Sequence, residues 1–157
     1  MRSRCRRLTL VWVLLCASPG VFAQGAPWLG AWQLDPARST RMQPSPYKRV
    51  TLTIERAGDG LKVTYDMVYP RGGTTHWEWT GKFDGQPYPL QGIDEYVTYA
   101  YQRLDDRTYD VVVRIDERPA GMSRVVLSPD GKTITTTTTG KDSTGRVVTT
   151  TTVYEKR

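Results

Sequence analysis

The sequence predicts an all-β protein that folds as an antiparallel up-and-down barrel of about eight to nine strands. Short segments from Arg49 almost to the C-terminus are apolar at every second residue, which is the period of a strand. The links between them are too short for parallel crossovers and therefore make neighbouring strands antiparallel. The apolar residues share one face, and a meander with one apolar face buries it and loses its exposed edges by closing into a barrel.

Nine strands are predicted in chain order. Asp59-Gly60, Gly72-Gly73 and Asp130-Gly131 supply the positive φ that tight hairpin turns need. Asp35 before Pro36 predicts an N-cap and a single helical turn around Ala37, followed by an extended arm to residue 48. The predicted strands cover residues 28–34, 49–56, 61–69, 74–83, 95–104, 107–117, 121–128, 132–139 and 146–155.

The first 23 residues have the pattern of a secretory signal peptide. Four arginines precede an apolar run from Leu8 to Cys16, and Val21-Phe22-Ala23 is a small-residue cleavage pattern. The apolar run is about half the length that spans a bilayer, so we expect cleavage and no transmembrane anchor afterwards. The sequence therefore predicts an exported protein, periplasmic or secreted, with a single domain from residue 24 to residue 157.

Charge and cysteine content exclude several classes of function for the mature chain. Both cysteines and four of the 22 basic residues lie in the first 23 positions, which leaves 18 basic against 16 acidic residues, a net charge of +2. This balance does not support nucleic-acid binding, which needs a basic face. Without cysteine, the mature chain has no disulfide, no thiolate nucleophile and no Cys-ligated metal site.

The start and end of the mature chain carry a family resemblance. Gly30-Ala31-Trp32 is a G-x-W at the head of the first strand, Leu34 to Ser39 reads L-D-P-A-R-S, and the chain ends near Tyr154-Glu155-Lys156. These features resemble small exported bacterial lipocalin-like proteins of the calycin superfamily. The resemblance implies a small, mostly apolar ligand at the open end of the barrel. It also implies that Trp32 closes the other end against a late arginine, for which Arg146 and Arg157 are the candidates.

The aromatic residues of the inner face are the candidate ligand-binding site. Their rings are apolar and their tips polar, which suits a ligand stacked between rings and oriented by a few hydroxyl groups. The competing interpretation is that they simply fill the barrel, because an eight-strand barrel has room for its own side chains or for one small ligand. The set comprises Tyr65, Tyr69, Trp77, Trp79, Tyr99, Tyr101 and Tyr109.

No catalytic residue, metal site or cofactor is predicted. His76 is the single histidine and shares an outward face with Glu78, so a solvated surface histidine is the favoured interpretation. Adjacent carboxylates such as Asp94-Glu95 point to opposite faces of a strand and do not form an acid–base pair. An enzyme is therefore not expected.

Two further surface features have a structural and a functional interpretation. Threonine runs at 135–139 and 149–152 favour a polar outer strand face, the alternative being a flat hydroxyl array that binds a polar surface. Register in this hairpin is poorly specified by the sequence. Arg71, Arg103 and Arg118 lie at strand ends, where an acidic head group could bind, although rim arginines are usually solvated.

Taken with the resemblance, these patterns favour an exported lipocalin-like binding protein that holds a small apolar or aromatic ligand in the barrel. The alternative is a filled barrel that acts as an envelope protein-interaction module or inhibitor.

Overall fold

Ten antiparallel strands form a closed barrel in the computed structural model, which describes residues 26–40, 46–142 and 144–157. The all-β up-and-down barrel predicted from the sequence is confirmed. A short 3-10 turn, Ala26–Trp28, precedes the strands, which are β1 (Gly30–Leu34), β2 (Arg49–Ala57), β3 (Gly60–Val68), β4 (Thr74–Gly81), β5 (Tyr88–Gln91), β6 (Val97–Arg103), β7 (Thr108–Ile115), β8 (Arg118–Leu127), β9 (Thr133–Lys141) and β10 (Val147–Lys156).

The barrel closes where the first strand pairs with the last. Each strand pairs with its sequence neighbours, and β1 lies between β2 and β10. Trp32 is therefore opposite Leu52 on one side and Lys156 on the other. Among the ten described strands, this closure leaves no unpaired edge.

The strand count differs from the predicted eight to nine because of β5. This strand has four residues and pairs at only two positions with β4 and at two with β6. Pro87 and Pro89 flank and interrupt it, and proline disfavours a strand assignment because it cannot donate a ladder hydrogen bond. The first strand also begins later than predicted, at Gly30, because the residues before it form the 3-10 turn.

The hairpin turns use positive φ, but at partly different residues from those predicted. In the β2–β3 turn Gly58 has a φ of +59°, whereas Gly60 already belongs to β3. Gly60 is required for another reason: a Cβ there would lie 2.2 Å from the carbonyl oxygen of Gly81. The β7–β8 turn places Asp116 and Glu117 at φ values of 48° and 64°, the pattern of a primed hairpin turn built without glycine.

Residues 35–40 form a turn rather than the predicted helical turn. The Asp35 carboxylate caps it as expected, accepting hydrogen bonds from the backbone N–H groups of Ala37 at 2.9 Å and Arg38 at 3.3 Å. Helix does not follow, because the chain pairs with β10 instead: Asp35 N–H donates to the Val153 carbonyl and Thr40 N–H to the Thr151 carbonyl. The predicted extended arm falls partly on residues 41–45, outside the described residues.

The core lies inside the barrel and is continuous along it. Buried and half-buried residues alternate along β2, from Val50 to Ile54, and along the first half of β3, as the sequence pattern predicted. The apolar side chains most completely buried are Trp32, Trp79, Leu127, Ile134 and Val50.

The two ends of the barrel differ. The turns β2–β3, β4–β5, β6–β7 and β8–β9 meet at one end, which the 3-10 turn covers, and we call it the closed end. The opposite end, with the turns β3–β4, β5–β6, β7–β8 and β9–β10, is the open end. The predicted signal segment lies outside the described residues. In the part of the chain that the structure describes, no helix is long and apolar enough to cross a membrane.

Candidate functional site

A cavity of about 580 Å³ lies inside the barrel. Its floor is at the closed end, where the lining residues Trp28, Leu61 and Ile134 are at most 5% exposed. Its rim is at the open end, where the lining residues Ile115 and Val148 are 43% and 39% exposed. Small-molecule sites in proteins typically measure roughly 300–1,000 Å³. The barrel is therefore hollow enough to hold one small molecule.

Aromatic rings form one side of the cavity. Tyr65 and Trp77 are register partners on β3 and β4 and lie nearly flat on each other, with ring centroids 3.9 Å apart and planes at 21°. Nearer the floor, Phe83 stacks on Tyr109 at 4.4 Å. Such contacts fix the rings in place, so that they present a stable apolar surface. Besides Trp28 at the floor and Tyr154 on β10, six aromatic residues line the cavity, and we call these six the aromatic wall: Tyr65, Trp77, Phe83, Tyr99, Tyr101 and Tyr109.

The structure brings most of the predicted aromatic site together. Trp79 is completely buried behind the aromatic wall, 4.5 Å from the Tyr101 ring, and its indole N–H donates to the Tyr99 carbonyl. Tyr69 is 37% exposed and packs against Tyr47 outside the cavity. Trp79 and Tyr69 therefore do not line the cavity. Alternation along a strand predicts which side chains point inward, but it does not predict how deep each side chain lies. The other five predicted residues do line the cavity: Tyr65, Trp77, Tyr99, Tyr101 and Tyr109.

Three hydroxyl groups of the aromatic wall, those of Tyr65, Tyr101 and Tyr109, are held in their neutral form. Burial raises the pKa of Tyr65 well above its ordinary value, and nearby tyrosines raise it further. Burial likewise raises the pKa of Tyr101 and, less strongly, that of Tyr109. Tyr65 also hydrogen-bonds to Tyr154. A neutral phenol can both donate and accept, so these groups can orient an uncharged polar atom of a ligand.

The side of the cavity opposite the aromatic wall is lined by aliphatic hydroxyls. Thr136 of β9 is opposite Thr152 of β10, and Thr138 is opposite Thr150. The hydroxyls of Ser123 and Thr138 are 2.9 Å apart and hydrogen-bonded across β8 and β9. In a ring of ten strands, β9 lies five strands from β4. We call these residues the hydroxyl wall: Ser123, Thr136, Thr138, Thr150 and Thr152.

The threonine runs therefore do not form only an outer face, as the favoured interpretation of the sequence held. Every second threonine points into the cavity. Ile134 and Tyr154 determine which ones, because both line the cavity and they are register partners of each other. Counting in steps of two from these residues assigns Thr136 and Thr152 to the interior. The positions of Ile134 and Tyr154 relative to the threonines are visible in the sequence. The uniform threonine composition nevertheless obscures which threonines share their face.

Two tryptophans close the floor. The Trp32 ring is completely buried, and its indole N–H donates to the Trp28 carbonyl at 2.9 Å. The Trp28 indole N–H donates to the Asp106 carbonyl, and its ring meets Tyr109 edge-on at 4.9 Å. Trp28 thus ties the 3-10 turn that precedes β1 to the β6–β7 turn.

The cation that packs on Trp32 is a lysine rather than an arginine. Lys156 Nζ lies 4.9 Å from the centre of the Trp32 ring and donates to the Pro27 carbonyl. Arg146, one of the two arginines implied by the resemblance, is in the β9–β10 turn and pairs with Asp142. Arg157 contributes its backbone N–H to the Ala31 carbonyl. Register explains the choice, because Lys156 is directly opposite Trp32.

The predicted rim arginines do not line the cavity. Arg71 is in the β3–β4 turn and Arg118 begins β8, both at the open end, whereas Arg103 is at the closed end and pairs with Asp106. The charged residues that line the cavity are Lys141 and Asp142, at the rim.

His76 lies on the outer surface of β4. Its Nδ1 is 2.8 Å from an Asp66 carboxylate oxygen and its Nε2 is 3.8 Å from Glu78, whose carboxylate also pairs with Lys62. Within residues 26–40, 46–142 and 144–157, no three His, Cys, Asp or Glu side chains form a group that could hold a metal ion.

Comparison with known proteins gives a structural likeness without a sequence match. No protein-family model and no curated protein matches this chain. The crystal structure of zebrafish ileal bile acid-binding protein, complexed with cholic acid, is similar with a TM-score of 0.53 and 11% sequence identity. The likeness covers 84% of this chain and 100% of the zebrafish chain. At this identity it shows the fold alone: the chain is a closed antiparallel β-barrel.

Proposed function

We propose that this chain is an exported binding protein that holds a small, mainly apolar or aromatic molecule inside its barrel. The cavity of about 580 Å³ with the aromatic wall on one side carries this proposal. Aromatic side chains offer a large contact area at a small cost in conformational entropy, because they have few rotatable bonds. The zebrafish protein of similar fold, solved with cholic acid, supports the same interpretation.

The charge distribution of the cavity supports binding rather than catalysis. General acid–base chemistry needs an ionisable group within hydrogen-bond reach of the reacting atom. The carboxylate and amine that line the cavity, Asp142 and Lys141, lie at its rim, and His76 lies outside the barrel. The deeper lining consists of aromatic rings, aliphatic side chains and neutral hydroxyls.

The filled-barrel alternative requires a core with no room for a ligand. The cavity of about 580 Å³ argues against that premise, since its volume is comparable to that of small-molecule sites.

The proposed export rests on residues 1–23 of the sequence, with their arginines, apolar run and cleavage pattern. Cleavage would release the barrel domain into the periplasm or the medium without a membrane anchor.

Native mass spectrometry of the protein purified from exported material tests the binding proposal. An additional non-covalent mass that disappears on denaturation is the expected result. Two tryptophan variants of β10 make the test specific to the cavity. Thr150→Trp places an indole inside the cavity. Thr149→Trp places the same group on the outer face of the barrel, one residue earlier in β10.

The bound mass should be lost in Thr150→Trp and retained in Thr149→Trp, with both variants showing wild-type far-UV circular dichroism. Equal retention of the bound mass by the two folded variants would place the ligand outside the barrel and contradict the proposal.

A further inference from the structure

The cavity has two chemically different walls, and this difference specifies the class of ligand. We infer that the ligand is uncharged and carries its polar groups along one edge, an inference that rests on the proposed binding function. Its apolar skeleton lies on the aromatic wall, and its hydroxyl or carbonyl groups lie along the hydroxyl wall. The juxtaposition of these walls across one cavity carries the inference.

The hydroxyl wall offers hydrogen bonds that the protein itself does not use. Among the described residues, the hydroxyls of Thr136, Thr150 and Thr152 form no side-chain hydrogen bond. No fully buried polar side-chain atom in the described chain lacks a partner, so these hydroxyls are open to the cavity rather than sealed in the wall. A purely hydrocarbon ligand would cover them without replacing their hydrogen bonds to water, which disfavours binding.

The hydroxyl wall is wide enough to form hydrogen bonds with more than one polar atom of a ligand. Thr136 and Thr152 form one cross-strand pair, and Thr138 and Thr150 form the next pair towards the open end. Inward residues two positions apart on a strand are separated by roughly 7 Å. Polar groups spaced along one edge of a rigid skeleton fit this arrangement better than a single terminal group does.

The interior also selects against a charged ligand. The charged residues of the lining, Lys141 and Asp142, are at the rim, and Asp142 already pairs with Arg146. Below them, the hydroxyls of Tyr65 and Tyr101 are held neutral, because burial raises the pKa of each. A carboxylate or ammonium drawn into this region would lose its water without gaining an opposite charge, which is strongly unfavourable.

Three fluorescent probes with one ring system test the inference: pyrene, hydroxypyrene and pyrenecarboxylate. Titration at neutral pH, followed by energy transfer from the tryptophans of the protein, gives a dissociation constant for each. We expect hydroxypyrene to bind about two- to tenfold more tightly than pyrene, the effect of about one hydrogen bond. Pyrenecarboxylate should bind at least about tenfold more weakly than hydroxypyrene.

A matched pair of triple variants locates the effect. The inner variant carries Thr136→Val, Thr150→Val and Thr152→Val, which keeps side-chain size and removes three cavity hydroxyls. The outer variant carries the same substitution at three outward positions, Thr135, Thr137 and Thr149. The inner variant should lose the preference for hydroxypyrene while binding pyrene at least as tightly, and the outer variant should behave as the wild type.

The outcomes separate the two proposals. If pyrene and hydroxypyrene bind equally in all three proteins, or if pyrenecarboxylate binds most tightly, the cavity binds ligands but the inferred ligand class is wrong. If no probe binds to the folded wild-type protein, the binding function fails and this inference fails with it.

Discussion

Removal of the Trp28 side chain should destabilise the barrel more than any exposed substitution. Trp28 is 3% exposed, packs edge-on against Tyr109 at 4.9 Å and donates its indole N–H to the Asp106 carbonyl. Buried Trp→Ala substitutions typically cost about 3–5 kcal/mol. Because Trp28 lies at the closed end, where water can fill part of the gap, we expect a value near the lower limit, about 3 kcal/mol for Trp28→Ala.

This loss is large against the total stability of a typical domain, about 5–15 kcal/mol, and corresponds to a drop in Tm of about 10 °C. Urea unfolding followed by far-UV circular dichroism measures it without depending on tryptophan fluorescence. Trp28→Phe is the control, since it keeps an aromatic ring against Tyr109 while it removes the indole hydrogen bond and part of the buried ring system, and it should cost less than Trp28→Ala. A loss of unfolding free energy below about 1 kcal/mol for Trp28→Ala would refute the conclusion that Trp28 closes the floor of the cavity.

Three other predictions concern pH, the closing lysine and export. The raised pKa values of Tyr65 and Tyr101 mean that the folded state favours the protonated phenols, so their contribution to stability is complete below the pKa of an unfolded tyrosine, about 10. The free energy of unfolding should fall as the pH rises above that value, and it should fall less steeply in Tyr65→Phe. If the dependence on pH is equally steep in Tyr65→Phe and in the wild type, the raised pKa of Tyr65 is contradicted. Lys156→Ala should cost about 1 kcal/mol, measured by urea unfolding, because it removes the cation above the Trp32 ring, whereas Lys156→Arg should cost less. The exported protein should have the intact mass of residues 24–157, and a mass that includes the first 23 residues would contradict the predicted cleavage.

The inner face of the barrel could be predicted where each strand alternates between clearly apolar and clearly polar residues. Val50, Leu52 and Ile54 of β2 illustrate this, because their polar neighbours leave one assignment of faces. Five cavity-lining aromatic residues followed from the same rule. Parity could not separate Trp77 from Trp79, since both point inward. The closely packed rings of Phe83 and Tyr88 bury Trp79 behind the lining, and these contacts exist only in the folded barrel.

The hydroxyl wall could not be predicted with the same ease, because threonine occupies both faces of β9 and β10. A shift of register by one residue changes nothing in composition. In the folded structure Ile134 and Tyr154 are register partners and both line the cavity, which assigns one set of alternate threonines to the interior. The lysine over Trp32 was missed because the expected partner was an arginine, although register alone places Lys156 opposite this ring.

The short β5 strand has a consequence for how the barrel moves. It is held at two register positions on each side, and one of its four residues, Pro89, has no amide hydrogen to donate. Local opening is favoured where few backbone hydrogen bonds must break together. The barrel should therefore open transiently at the β4–β5–β6 seam, where β5 pairs with its two neighbours. The amides of Leu90 and Gln91 should exchange with deuterium faster than those of the long β2–β3 ladder. Because this seam lies beside the aromatic wall, its opening would give a molecule a second, lateral route into the cavity.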